Sequence, residues 1–187
     1  MLSISRFGTL VVFVLTAIQL GGCATAPKPV DRGEFLQRAQ ATRQRFEASV
    51  PGLRDQIQGS AGYIVFPGVA QWGIIFSGGS FGRGALYNSE GRQIGWSAIN
   101  VGSIGLQAGV QGFRMIIVFQ NEQVLAEFKA NKLDGSVTGV VVLAEAGGSG
   151  QASFTDGVAV YQGANVGLMG GINVGLNYIR YVPLGES

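Results

Sequence analysis

The sequence predicts an α+β domain. Its core is a glycine-rich antiparallel β-sheet, a sandwich or partly closed barrel, with an N-terminal helix and one or two short helices at its edge. Three observations lead there. Apolar residues recur at helical spacing only across residues 31–58 and again across 121–132. The remaining segments are β-branched and aromatic, separated by Gly, Ser and Asn. The composition, 31 glycines and 13% charged residues against ~25% in ordinary domains, suits a sheet with many tight turns.

The first helical stretch carries Phe35, Ala39, Phe46, Val50, Leu53 and Ile57 on one stripe, with Arg38, Arg43, Gln44 and Arg45 mostly off it. Pro51 interrupts the pattern, so the spacing predicts a helix from about Asp31 to Ala48 and a shorter one over Pro51 to Gln58. Asp31, with Glu34 three residues on, is the expected cap. The stripe is expected to pack on the domain's own core, the alternative being a bilayer surface.

Strands follow in "GYIVFP", "WGIIF", "GALYN", "QIGWSAINV" and "FRMIIVF". "NSEG", Asn88 to Gly91, reads as a hairpin turn joining Ala85–Asn88 to Arg92–Val101. Ile99 and Val101 share one parity and Ile104 to Val110 the other, so a bulge or turn is expected at Gly102–Ser103. "GGSFGRGA", Gly78 to Ala85, lacks the Gly-Lys-Ser/Thr of a phosphate loop and reads as a tight turn between strands.

"NEQVLAEFKANK" returns to helical spacing through Val124, Leu125 and Phe128, with Asn121 as cap. Val137 to Leu143 is an apolar run suited to one buried strand, and Phe154 to Tyr161 is broken by Asp156–Gly157. Ile172, Val174, Leu176 and Tyr178 alternate with polar or small residues as a half-buried strand. Trp72 and Trp96 are expected in the core or sheet.

At 187 residues the chain is long enough for one domain with a tail. A net charge of +2 announces no nucleic-acid partner. With no histidine, Ser-His-Asp and Cys-His catalysis and the commonest zinc ligands are missing, and no cofactor is implied. The 11 carboxylates are dispersed, without an Asp-rich cluster for calcium. The expectation is a protein that is not an enzyme.

The N-terminus predicts a compartment. Arg6 precedes the uncharged run Phe7 to Leu20, which fits a signal h-region and is shorter than the ~20 residues of a membrane-spanning helix. "LGGC", Leu20 to Cys23, resembles the lipobox of bacterial lipoproteins, and it holds the single cysteine. Residues 1–22 are therefore expected to be a signal peptide, Cys23 the site of lipid attachment, and residues 23–30 a lipidated tether. Ala24 follows the cysteine where an Asp would signal inner-membrane retention. By resemblance to Gram-negative sorting, the protein is expected in the cell envelope, on the outer membrane facing the periplasm.

Residues 31–187 resemble the SYLF domain. The resemblance rests on Gly62, Phe66 and Pro67; on Gly78, Gly79, Gly82 and Gly84; on Trp96–Ser97; on Gly105, Gln107 and Gly109 ahead of an apolar strand and "NEQVLAEF"; and on "YQGANVGLMGGINVG". It implies a lipid-binding module. Eukaryotic members bind phosphoinositides and some fungal ones bind actin. Neither ligand is normal behind a bacterial envelope, so the expectation carried over is contact with anionic phospholipid headgroups. Arg83, Arg92, Arg114, Lys129 and Lys132 are the candidate headgroup-binding residues, as a group. Two other functions remain open: a structural or interaction lipoprotein that binds an envelope protein partner, and a carrier that takes acyl chains into an incompletely closed barrel.

Overall fold

The computed structural model describes residues 27–28, 31–74, 77–104, 109–133, 141–143, 151–166 and 179–185. Cys23, the signal segment, Val137–Val140 of the expected apolar strand and the Ile172–Tyr178 strand lie outside the described residues. The elements in order are α1 (Arg32–Ser49), α2 (Leu53–Gln58), β1 (Gly62–Ile74), β2 (Ser77–Asn88), β3 (Gln93–Ile104), β4 (Gly109–Phe119), α3 (Glu122–Lys129), β5 (Val141–Leu143), β6 (Val158–Val166) and β7 (Ile179–Val182). The strands form one sheet in the order β5-β6-β4-β1-β2-β3-β7. Six of them pair antiparallel, β5 joins β6 in parallel, and among the described residues the sheet does not close into a barrel. The fold is α+β, as expected, with helices lying over both faces of the sheet.

On one face the apolar stripe of the N-terminal helices is buried throughout, from Phe35 to Ile57. Ala39, Phe46, Val50, Leu53 and Ile57 pack on Tyr63, Val65, Ile116, Val118, Ala159 and Tyr161, while Phe35 meets the ring of Trp96 edge-on at 5.7 Å. The stripe therefore serves the core. Asp31 sits at the N-cap but its side chain makes no capping bond, because its backbone is already helical rather than extended. Glu34 instead faces Arg38 at 4.0 Å on the exposed side.

The opposite face holds Ile64, Phe66, Leu86, Met115, Ile117 and Phe119 under α3, whose Val124, Leu125 and Phe128 are buried. The Phe119 and Phe128 rings stack at 5.0 Å. Asn121 caps α3 as expected, its side chain accepting from the Val124 N–H at 3.1 Å.

Asn88 to Gly91 forms the hairpin turn, with Gly91 at φ +82° and the Arg92 N–H donating to the Asn88 side chain at 2.8 Å. Two expectations are corrected. Gly78–Ala85 is no turn: it lies within β2, where a Cβ on Gly84 would come 2.8 Å from Ile64 and Phe66. Glycine lets the buried Ile64 side chain and Phe66 ring of the neighbouring strand approach this backbone. Nor is there a bulge at Gly102–Ser103, since β3 pairs β2 without interruption from Val101 to Ile104. The irregularity lies in β1, between Phe66 and Val69, where one extra residue shifts the register against both β2 and β4. Pro67 stands there, and a bulge is where a central strand tolerates a residue with no N–H.

Candidate functional site

Directly opposed residues in an antiparallel ladder project to the same face. One such row crosses six strands: Val182, Trp96, Ala85, Val65, Ile116 and Tyr161, all buried under the N-terminal helices. Two residues further along each strand, on the same face, the next row contains Arg180 on β7, Ala98 on β3, Arg83 on β2, the Pro67–Gly68 bulge on β1, Arg114 on β4 and Gly163 on β6. Three guanidinium groups thus share one line across the sheet. Among the described residues of this row there is no carboxylate.

Arg180 is exposed, whereas Arg83 and Arg114 are half-buried with their Nε atoms out of reach of water. Such partial burial suits long cationic side chains beside an apolar row, since their stems are hydrocarbon. Both are engaged in interactions of their own; for Arg83 one is the Phe81 ring, 5.5 Å from the guanidinium carbon. Phe81 occupies the next row outward, opposite Asn100 and Ala70. At 45% exposure it is one of two large exposed apolar side chains among the described residues. Cations beside an exposed aromatic ring suit a surface with negative charge above and hydrocarbon below.

The five cations singled out from the sequence divide in space. Arg83 and Arg114 belong to the row. Arg92 follows the hairpin turn, exposed and 3.5 Å from Glu90, beyond the opposite end of the helical cover. Lys129 ends α3 and Lys132 follows it, on the other face of the sheet. Arg180 was missed by the sequence reading. The aromatic and β-branched residues of "IRYV" are the signal for a strand there, while its place opposite Ala98 follows from the pairing of β3 with β7.

A second polar cluster lies where α1 crosses β1 and β2. The Arg43 Nη1 donates to the Tyr63 hydroxyl at 2.9 Å, and its Nε lies 3.4 Å from Glu47, which also meets Arg54 at 3.2 Å. Burial alone would lower the Arg43 pKa, but the Tyr63 hydrogen bond and the Glu47 charge more than offset it, so the value is raised. Burial pushes the Tyr87 phenol up to about 12, aided by Tyr63 and opposed by Arg43. Neither phenol is a base at neutral pH. Among the described residues no group of three Cys, Asp or Glu residues is placed to hold a metal ion, and no helix is long and apolar enough to cross a membrane.

Comparison with models of known protein families finds none that matches the chain. Comparison with curated proteins finds no similar sequence.

Proposed function

We propose that this chain is a lipid-anchored, non-enzymatic protein of the bacterial envelope, whose SYLF-like domain binds anionic phospholipid headgroups. The observation that carries the reading is the row of Arg83, Arg114 and Arg180 beside exposed Phe81 on one face of the sheet. Each basic side chain near an anionic surface contributes ~1 kcal/mol before screening. The motif residues also hold positions with particular structural demands. A Cβ on Gly62 would stand 2.6 Å from the Tyr87 carbonyl oxygen, Pro67 marks the bulge, and Trp96 is buried beneath the N-terminal helix. Attachment of acyl chains to Cys23, on the outer membrane facing the periplasm, would hold the row close to a bilayer.

Flotation of residues 24–187 with vesicles tests the headgroup reading. Recovery should require phosphatidylglycerol, fail with phosphatidylcholine alone, and fall as salt rises. Equal recovery on both vesicles refutes it and favours a protein partner, which crosslinking in intact cells would capture. The anchor is tested separately by the mass of the N-terminal fragment of protein purified from membranes. An unmodified Cys23 refutes it.

A further inference from the structure

A cleft of about 410 Å³ opens between α1 and the hairpin end of the sheet, and none of the three row arginines lines it. Its volume falls within the ~300–1,000 Å³ of small-molecule sites. On the helical wall Leu36 and Ala39 stand beside Gln37, Gln40 and Arg43, the floor is Tyr63, Val65 and Tyr87, and Gln93 closes the far side, so the lining is mostly apolar with polar groups set into it. The two tyrosine rings stack on each other at 5.2 Å and 20°, so they make one continuous aromatic surface in the floor.

The chemistry of the lining is uneven in an informative way. Gln37 and Gln40 are exposed and, among the described residues, neither makes a hydrogen bond to the protein. The Tyr87 hydroxyl likewise has no hydrogen-bond partner among them, and its raised pKa keeps it protonated at every physiological pH. Amides and phenols both donate and accept, as does each hydroxyl of a polyol. A purely hydrocarbon occupant would cut the half-buried Tyr87 hydroxyl off from water without giving it a partner, at a cost that works against binding, whereas the exposed amides stay solvated at the rim. At one end Arg43, Arg54 and Arg92 stand against the two carboxylates of Glu47 and Glu90, and no carboxylate lines the cleft itself.

We propose that this cleft binds an acidic sugar, its hydroxyls on Gln37, Gln40 and Tyr87 and its carboxylate toward Arg43. The proposal is independent of headgroup binding, since the two sites share no residue.

The test uses the full chain in a non-glycosidic detergent, with saturation-transfer NMR and tyrosine fluorescence as readouts. Glucuronate, glucose and octanoate are the probes. Glucuronate should bind saturably and roughly tenfold tighter than glucose, one charge-assisted hydrogen bond being the difference. The double variant Gln37→Ala/Gln40→Ala, changed only at exposed side chains, should weaken glucuronate by about tenfold. Arg43→Gln should erase the preference for glucuronate over glucose. Because Arg43 also holds Tyr63, the glutamine variant alone decides if that protein does not fold. Failure of glucuronate to bind, binding unchanged in the glutamine variant, or octanoate outcompeting the sugars overturns the proposal.

Discussion

Replacing Arg83, Arg114 and Arg180 together with glutamine isolates the charge of the row while keeping much of each stem's packing. At ~1 kcal/mol per cation the loss totals ~3 kcal/mol. At ~1.4 kcal/mol per decade that is about a hundredfold in partition onto phosphatidylglycerol vesicles. Measured by centrifugation over a lipid series in ~0.1 M salt, where the screening length is ~10 Å, the isotherm should move by that factor. The paired control is Arg92→Gln/Lys132→Gln, two exposed cations beyond the hairpin turn and on the opposite sheet face. It should shift binding by about twofold or less, because those charges do not face the same surface. Thermal unfolding followed by circular dichroism checks that the half-buried positions still fold. A triple variant that binds like the parent refutes the argument, as does a control that loses equally, because only a shared face distinguishes the two sets.

Four further outcomes follow from the packing. Tyr161→Phe removes a hydroxyl that accepts from the Ala152 N–H at 2.9 Å and donates to the Gln56 side chain, so urea unfolding should show a loss of ~1–3 kcal/mol. Gly84→Ala places a methyl 2.8 Å from Ile64 and Phe66, and the same assay should record ~1–3 kcal/mol of overpacking. Asn121→Ala should cost ~1 kcal/mol through the lost cap of α3, read from the denaturation midpoint. The Tyr87 phenol is raised from 10.0 to about 12, so the folded state favours its neutral form. Its contribution is complete below pH 10 and is lost as pH climbs toward 12, because the unfolded chain ionises first. Urea midpoints that stay level across that window would contradict the assignment.

The helices were legible because their apolar spacing matched a real packing surface. Phe35 to Ile57 read as one stripe and lie as one stripe, and Asn121 read and acts as a cap. The hairpin at Asn88–Gly91 was equally plain, since Gly91 takes a backbone conformation that favours glycine. The glycine-rich stretch Gly78–Ala85 misled for a definite reason. Local composition does not distinguish a glycine that turns the chain from one that admits a neighbour's ring, and Gly84 is the second kind. Asp31 failed as a cap because capping depends on backbone geometry as well as residue type. The arginine row was half legible. Arg83 and Arg114 stood out by residue type, but their alignment with Arg180 depends on pairing between strands distant in sequence. Single-strand patterning carries no information about that register.

The Pro67 bulge has a bearing on what happens before folding is complete. Gly62–Phe66 and Met115–Phe119 are uncharged, strongly β-forming runs, and in the native sheet they pair with each other under cover on both faces. In a newly made or heat-opened chain such segments are the ones that template intermolecular cross-β stacking. Pro67 closes the first run and Arg114 precedes the second, each placing a residue hostile to fibril growth beside the hazard. Substituting Pro67 therefore threatens solubility during biogenesis as well as native stability, and thioflavin-positive deposits would be its signature.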